Sequence, residues 1–410
     1  MIDFLTVVFL VYTFISLYFI IAYTLVYTFN KKRFFETPTS KNKLTLSIVV
    51  PCYNEQETIG NTIKTLLDLD YKHLQKIIVV DDCSTDNSFS IMKKYANQYR
   101  QVMVVQTPRN TGNAAGAKNY GVKFANTDLI GFTDADSFPK KDSVRKMVGF
   151  FDNPKIGAVT SSVLVKNRNK LIELFQAVEY KVIAFTRKLI GIVDAIYVTP
   201  GPLALYRKSA FDEVGGFDKN NWTEDIEITW AIVKAGYKVE MSLTSEVYTV
   251  APDNWKQWFK QRLRWNVGGI QTLVKYKNQF LKKGMLGSFI IPFFLLTWCI
   301  SLFGIAILIY RFVRTIIVRY LSTLYSIHAE TAILRFSEIN LTPNILVFFG
   351  GISLILSTIF TLFALYYVKE QDFKKYGFIP IVGFMFLYLL AYPFILIGSF
   401  YRYFKKTGKW

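Results

Sequence analysis

Four long apolar runs constrain the architecture of this chain more than any other feature of its sequence. They comprise residues 4–29, 286–310, 345–368 and 378–401. Each run is longer than the roughly 20 residues that an α-helix needs to cross a bilayer. Residues 31–284 are polar enough to fold as a soluble domain. We therefore expect a transmembrane helix in residues 1–30 and about three transmembrane segments in residues 285–410.

Basic residues after the first run predict its orientation. Lys31-Lys32-Arg33 follows it directly, and basic residues favour the cytoplasmic side of a membrane. The run has neither a basic start nor a small-residue cleavage site, which favours a retained anchor over a signal peptide. We expect a multi-pass plasma-membrane protein whose residues 31–284 are cytoplasmic. Residues 311–336 carry arginines, and they form either a surface-lying helix or an additional membrane element.

The excess of basic residues limits the classes of partner. The chain has 49 Lys and Arg residues against 30 Asp and Glu residues, a formal net charge of +19. The sequence has no zinc-type Cys/His cluster and no basic arm, so membrane lipid is favoured as a partner and nucleic acid is not expected. Only two histidines and three scattered cysteines are present. A bound metal is therefore expected to be a hard ion held by carboxylates, such as Mg²⁺ or Mn²⁺.

Short β-branched runs alternate with helical periodicity in the first half of the soluble domain. The predicted strands are residues 44–50, 76–80, 102–106 and 129–133. Residues 57–69 show the spacing of an amphipathic helix. Strands that alternate with helices predict an open, mostly parallel α/β sheet with helices on both faces. Ligands of such sheets bind beyond the carboxyl ends of the strands.

Acidic residues stand at three of these predicted strand ends. They are Glu55, Asp81, Asp82, Asp134 and Asp136. Carboxylates gathered at one edge repel one another unless a cation or a donor-rich ligand compensates them. Asp136, with Asp134, is a candidate ligand of a divalent cation that also binds a diphosphate. Asp81 or Asp82 is a candidate acceptor for hydrogen bonds from a nucleobase or ribose.

A stretch of small residues, 110–121, precedes the fourth predicted strand and contains Lys118. Small residues at the start of a helix let the backbone approach a ligand, and Lys118 adds a positive charge. The stretch matches neither a P-loop nor a dinucleotide fingerprint. A tightly packed helix N-terminus explains it equally well.

Two amphipathic segments follow in the second half of the domain. Residues 171–190 carry apolar side chains on one helical face with basic residues nearby, which favours a helix on the inner leaflet over a core helix. A second interfacial helix is expected at about residues 254–275. Between them, Gly201 and Pro202 lie in a predicted rigid turn that leads into a strand.

Two short motifs complete the set of candidate site residues. They are Thr223-Glu224-Asp225 and Gln261-Arg262-Leu263-Arg264-Trp265. The first is typical of a helix N-terminus, with a threonine cap and acids in the first turn. The second places arginines beside a tryptophan, which suits an anionic group and a stacked ring. A basic helix on the membrane surface is the alternative explanation of the second motif.

Taken in order, these motifs resemble those of the membrane-embedded, processive family 2 glycosyltransferases, which include the synthases of cellulose, chitin, hyaluronan and poly-N-acetylglucosamine. The resemblance covers about residues 44–269 and includes Pro51-Cys52-Tyr53-Asn54-Glu55. The later Glu179-Tyr180 and Trp265-Asn-Val-Gly268-Gly269 are most similar to bacterial poly-β-1,6-N-acetylglucosamine synthases. Asn113 is a departure, because such synthases usually carry Lys there.

The resemblance implies a GT-A-like fold and an inverting, processive enzyme. Such an enzyme polymerises a sugar from a UDP-sugar and passes the polysaccharide across the membrane. The sugar that the resemblance favours for this chain is N-acetylglucosamine. The expected partners are the UDP-sugar, a glycan or lipid-linked acceptor, membrane lipid and a small accessory membrane subunit. The alternative is a transferase that adds a single sugar to polyprenyl phosphate or another lipid-linked acceptor.

The resemblance also implies roles for individual residues. Asp225 is the expected catalytic base, with Glu224 orienting it or the acceptor. The expected donor-binding residues are Pro51, Tyr53, Glu55, Asp81, Asp82, Lys118, Asp134, Arg262 and Arg264. The expected acceptor-binding residues are Gly201, Pro202, Gln261 and Trp265. Asp136 and Asp134 are the expected ligands of Mg²⁺ or Mn²⁺.

Overall fold

One sheet of eight strands is present among the residues that the computed structural model describes, namely 4–330, 345–368 and 377–405. The strands are β1 (Leu46–Cys52), β2 (Leu74–Asp81), β3 (Val102–Gln106), β4 (Leu129–Phe132), β5 (Ser137–Pro139), β6 (Ile156–Val165), β7 (Ala204–Arg207) and β8 (Lys238–Thr249). Their order across the sheet is β3-β2-β1-β4-β7-β6-β8-β5. The first four strands in this order are parallel, whereas β7 and β5 run antiparallel to their neighbours. The predicted open α/β sheet is confirmed, with mixed pairing in its second half.

The register of the parallel strands brings their carboxyl ends to one edge. Cys52 of β1 pairs with Asp81 of β2, and Val49 pairs with Phe132 of β4. The residues that follow these strands therefore start from the same level of the sheet. Aliphatic side chains of β1 and β2 are buried on both faces, as parallel sheets require.

Helices cover the sheet and flank it in sequence. They are α1 (Phe4–Phe29), α2 (Lys31–Phe34), α3 (Ile59–Leu67), α4 (Ser88–Gln98), α5 (Ala114–Val122), α6 (Arg145–Val148), α7 (Leu171–Ile192), α8 (Lys208–Glu213), α9 (Glu224–Lys234), α10 (Trp255–Tyr276), α11 (Ile291–His328), α12 (Ile345–Tyr367), α13 (Phe378–Gly383) and α14 (Leu389–Lys405). Short 3₁₀ turns occupy Gly149–Asp152 and Lys277–Gln279, and π-helical turns occupy Leu286–Ile290 and Phe384–Tyr388.

The chain divides into two compact units. The larger unit comprises Val26–Phe293 and the described part of Phe363–Trp410. The smaller unit comprises the described parts of Met1–Leu25 and Phe294–Leu362. The sheet and all the candidate site residues lie in the larger unit.

Among the residues that the structure describes, two helices are long and apolar enough to cross a membrane, namely Leu10–Phe29 and Leu286–His328. A bent pair, Phe378–Phe386 and Leu390–Lys405, would make a third span, whereas Gly351–Tyr367 is apolar but shorter. The Leu286–His328 helix covers 43 residues. Residues 311–328 therefore continue this helix, whereas one interpretation of the sequence made them a separate surface helix. Residues 331–336 of that stretch lie outside the described residues.

Helix α7 is buried more completely than its amphipathic pattern predicts. It packs against β6, β8 and α13. Its basic residues, predicted to lie near lipid, are covered by protein: Lys181, Arg187 and Lys188 are 1%, 8% and 2% exposed. Lys188 Nζ donates a hydrogen bond to the carbonyl oxygen of Met241 at 2.7 Å. Helical periodicity identifies an apolar face but does not show what covers the other faces, and the position of α7 at the membrane surface stays a prediction.

Helices α7 and α10 share a second hydrophobic core with the C-terminal helices. Its buried members are Ile172, Phe175, Val178, Trp258, Leu263, Val267, Leu365, Ile381, Phe384 and Ile395. Ser399 Oγ of α14 also lies 3.5 Å from the carbonyl oxygen of Leu263 in α10. The helix that carries Gln261 to Trp265 is therefore held between the soluble domain and the apolar C-terminal helices.

Candidate active site

A cavity of about 1030 Å³ opens at the carboxyl edge of the parallel strands. Its walls come from the loops after β1, β2 and β4, the N-termini of α5 and α9, and the helices α7 and α10. The predicted site residues that line it are Pro51, Tyr53, Glu55, Asp82, Lys118, Asp134, Asp136, Gly201, Pro202, Glu224, Asp225, Gln261, Arg264 and Trp265. Asp81 and Arg262 are not part of its lining.

The loops after β1 and β2 are joined through Asn54. Its backbone has a φ of 55°, a left-handed conformation that asparagine tolerates better than most residues. Asn54 N donates to Ser84 Oγ at 3.1 Å, and its Oδ1 accepts from Thr85 N at 2.8 Å. The joined loops present Tyr53, which is 50% exposed, and Glu55 to the cavity.

The two aspartates that follow β2 support the adjacent loops. Asp81 is fully buried, and its carboxylate accepts hydrogen bonds from Gln106 Nε2 at 2.8 Å and Ser84 N at 3.2 Å. Asp82 accepts from Thr107 Oγ1 and Thr111 Oγ1, each at 2.8 Å, and from Thr111 N. Asp81 was predicted to bind the donor, but the geometry does not favour this contact. A side chain at the end of a strand faces only one side of the sheet, and that of Asp81 faces the protein interior.

Glu55, Asp134 and Asp136 form an acidic edge of the cavity. Burial raises the pKa of Asp136 to about 7, and the charges of Asp134 and Glu55 add to that rise. Burial also raises the pKa of Glu55. A divalent cation would relieve this mutual destabilisation. Among the described residues, no group of three or more His, Cys, Asp or Glu side chains can hold a metal by itself, so a cation here fits only with phosphate or water as further ligands.

Lys118 connects the acidic edge to α9. Its side chain is 2% exposed, and Nζ lies 2.9 Å from Glu224 Oε1 and 3.5 Å from Asp134 Oδ1. Burial acts to lower the pKa of Lys118, but these carboxylates outweigh burial and hold its pKa above the usual value. Asn113 caps α5 by accepting a hydrogen bond from Gly116 N at 3.0 Å.

Glu224 and Asp225 begin α9 and have pKa values shifted in opposite directions. Burial, and then the charge of Glu224, raises the pKa of Asp225 to about 6. Burial acts in the same sense on Glu224, but the charge and hydrogen bond of Lys118 outweigh it and lower the pKa of Glu224. Neighbouring carboxylates with separated pKa values are typical of acid–base sites.

Gly201 allows the turn before β7 to lie against the acidic edge. A Cβ at this position would lie 2.3 Å from Asp134 Oδ2. Thr199 Oγ1 lies 2.8 Å from Thr229 Oγ1, which ties the turn to α9. A side chain at position 201 would displace the carboxylate of Asp134, so the glycine lets the turn and this carboxylate lie together.

Gly268 sets the position of α10. A Cβ at Gly268 would lie 2.0 Å from Thr223 Oγ1 and 2.7 Å from Thr223 N. The helix therefore lies directly on the residue that precedes Glu224 and Asp225. This contact brings Gln261, Arg264 and Trp265 to the cavity, and Arg264 Nη1 donates to the carbonyl oxygen of Trp222 at 3.2 Å.

Arg262 lies behind the cavity wall. It is fully buried, its Nη2 lies 2.5 Å from Glu179 Oε2, and its guanidinium carbon lies 3.9 Å from the ring centroid of Trp265. Glu179 also accepts a hydrogen bond from the hydroxyl of Tyr392 in α14. In place of the predicted diphosphate contact, Arg262 stacks on Trp265 and connects it to α7 and α14.

Residues 47–215 match the family model described as glycosyl transferase family 2. The chain contains a family 2 glycosyltransferase domain. The match includes the acidic edge, Lys118 and Gly201 of the site.

Curated relatives extend the likeness beyond that segment. The poly-beta-1,6-N-acetyl-D-glucosamine synthase of Staphylococcus aureus (strain COL) is 29% identical over 262 residues, 63% of this chain and 62% of the relative. The synthase of the same description from Staphylococcus epidermidis is 30% identical over 250 residues, 60% of each chain. The matched segment thus spans less than two thirds of the length of these relatives.

A solved structure supports the fold class of the glycosyltransferase domain and its flanking helices. A mannosyltransferase from Pyrobaculum calidifontis, in complex with GDP-Man and Mn²⁺, superposes with a TM-score of 0.57 at 16% identity. The alignment covers 97% of this chain and 99% of that chain. At this identity the likeness shows the fold alone, which confirms the GT-A-like prediction.

Helix α7 brings residues to the cavity that were not among the predicted site residues. Tyr180, Ile183 and Arg187 line the cavity from one face of the helix. The ring of Tyr180 lies 6.5 Å from that of Trp265, centroid to centroid. The available signal was the spacing of these residues at i, i+3 and i+7, which places them on a common face. That face was interpreted as part of a lipid-surface helix.

Proposed function

We propose that this protein is an inverting, processive glycosyltransferase that polymerises N-acetylglucosamine from a UDP-sugar at the cytoplasmic face and passes the polysaccharide across the membrane. The observation that carries the proposal is the meeting of an acidic edge, the Glu224–Asp225 carboxylate pair and the Arg264–Trp265 pair in one cavity. The staphylococcal relatives support the choice of N-acetylglucosamine. The apolar helices support a path across the membrane.

The donor binds at the acidic edge in this account. Asp136 and Asp134 would hold Mg²⁺ or Mn²⁺, which neutralises charge on the diphosphate when bound. Arg264 offers fixed guanidinium donors to the phosphate oxygens of the leaving group. Tyr53, half exposed at the cavity rim, offers a ring face on which a nucleobase can stack.

Asp225 acts as the general base. It takes the proton of the acceptor hydroxyl while the acceptor oxygen attacks the anomeric carbon from the face opposite the diphosphate. The bond between the anomeric carbon and the diphosphate breaks, and its electron pair leaves with UDP, so the anomeric configuration inverts. Gly201 and Pro202 border the acceptor, Trp265 stacks on its sugar ring, and Gln261 is available to donate a hydrogen bond to it.

The variant Asp225→Asn tests this mechanism in purified full-length protein. Transfer from radiolabelled UDP-N-acetylglucosamine should fall by about a thousandfold or more, because general-base catalysis contributes about that much. UDP should still bind with unchanged affinity, measured by calorimetry with Mn²⁺ present. Loss of UDP binding, or transfer at the rate of the unsubstituted protein, would contradict the assignment of Asp225.

A further inference from the structure

Helix α7 contributes a cation to the cavity that this mechanism does not use. Arg187 lines the cavity and is 8% exposed. Its Nε is buried without a hydrogen-bond partner. Across residues 4–330, 345–368 and 377–405, its guanidinium forms no ion pair and no hydrogen bond to another described residue.

The other cations of this region are partnered. Lys118 lies against Glu224, Arg264 donates to a carbonyl oxygen, and the buried Arg262 pairs with Glu179. A buried guanidinium N–H without such a partner is costly, because it has lost water and gained no acceptor, and Nε of Arg187 is in this position. Arg187 is therefore a group whose partner is expected to arrive from outside the chain.

The surroundings of Arg187 indicate the part of the cavity that this partner enters. Burial lowers the pKa of Arg187, and the groups that oppose this effect are Tyr197, Asp225 and Tyr180. Asp225 is the proposed base, and Tyr180 neighbours Trp265. The α7 wall thus combines a cation with the aromatic rings on the acceptor side, beside the reacting hydroxyl.

We propose that Arg187 binds a phosphate group of a substrate, an inference that rests on the proposed function of the cavity. A guanidinium fits phosphate because its fixed N–H donors meet two oxygens at once. Two substrates could supply this phosphate. It belongs either to the diphosphate of the nucleotide or to a lipid phosphate on the acceptor.

Binding measurements on the full-length protein distinguish these sources. The probes are UDP with Mn²⁺, geranyl phosphate, and geraniol as the neutral counterpart of geranyl phosphate. Arg187→Met should weaken binding of one of the two phosphate probes by about tenfold or more, as expected for loss of a charge-assisted contact. Lys188→Met is the matched control, because Lys188 is buried in the same helix but does not line the cavity.

Each result of the titrations has a defined meaning. Weaker binding of UDP alone assigns Arg187 to the nucleotide, and weaker binding of geranyl phosphate but not geraniol assigns it to a lipid acceptor. Unchanged affinity for both phosphate probes, at an unchanged melting temperature, overturns the proposal. If Arg187→Met does not fold, Arg187→Lys decides, since a point charge should bind the phosphate more weakly and equal affinity overturns the proposal. If the protein transfers sugar but Arg187 does not affect phosphate binding, only this inference is wrong. If Arg187 binds a phosphate probe but the protein transfers no sugar, the proposed function is wrong.

Discussion

Glu224 and Asp225, the adjacent carboxylates at the start of α9, have different pKa values because, of the two, Lys118 contacts only Glu224. Lys118 pairs with Glu224 and keeps it ionised, and burial together with this negative charge raises the pKa of Asp225 to about 6. A base is active only when it is deprotonated. Transfer should therefore rise as pH increases through about 6 and level off above it.

Glu224→Gln tests this coupling. Removing the neighbouring negative charge lowers the pKa of Asp225, so the midpoint of the acid limb of kcat/KM should move to lower pH. The measurement is the pH profile of kcat/KM for UDP-N-acetylglucosamine in both proteins. Glu57→Gln, at a carboxylate outside the cavity lining, should leave the midpoint in place. An unchanged midpoint in Glu224→Gln would contradict the coupling.

The motif that contains Arg262 and Arg264 predicts a site for an anion but does not predict which arginine reaches it. The sequence predicts that arginines in α10 meet an anion, but residues two apart on a helix point in nearly opposite directions. The structure turns Arg264 to the cavity and Arg262 to Glu179. Asp81 and Asp82 present the same difficulty at a strand end, where successive side chains alternate between faces.

Substituting each arginine by methionine should separate these positions. Arg262→Met leaves Glu179 buried without its charge partner and should cost about 3–5 kcal/mol of unfolding free energy. Arg264→Met should cost less stability but should weaken UDP binding more. Denaturant unfolding and UDP titration give the two readouts. If a well-folded Arg262→Met protein lost more UDP affinity than Arg264→Met, this result would support a direct contact of Arg262 with the diphosphate.

At the scale of elements, the contact between α10 and α9 decides whether the arginine motif reaches the base. Gly268→Ala places a Cβ within 2.0 Å of Thr223 Oγ1 and 2.7 Å of Thr223 N. Because the backbone cannot move aside as a side chain can, α10 should shift. Transfer should then fall by about a hundredfold, because reacting groups tolerate only small misplacements. Gly60→Ala in α3 is the control, because its added Cβ meets nothing closer than 3.4 Å. Full activity of Gly268→Ala would show that the two helices need not touch.

Strands and helices differ in how far the sequence predicts them. The strand pattern predicts β1 to β4 within two residues at each end, because β-branched runs end in polar turns. Strand β6 is buried along its whole length, a pattern that a buried helical segment shares. Helix α7 is predicted as a helix, but the burial of its basic residues is not, because neighbours distant in sequence cover them.

At the scale of the whole molecule, the acidic strand ends predict where the cavity forms, since parallel strands end at one edge. The second half of the cavity depends on α7, α9 and α10, which meet through contacts such as Gly268 with Thr223 that no local pattern reveals. The apolar helices follow from hydropathy, but the number that crosses the membrane stays a prediction. So do the accessory subunit and the cytoplasmic side of the domain.

The size of the product shows whether the protein is a processive polymerase. Membranes containing the protein are incubated with a panel of labelled UDP-sugars and Mg²⁺ or Mn²⁺, with Asp225→Asn membranes as the control, and the products are sized by gel filtration. The account predicts a long polymer from UDP-N-acetylglucosamine that the control membranes do not make. A product with a single sugar on a lipid, and no polymer from any donor, would contradict it.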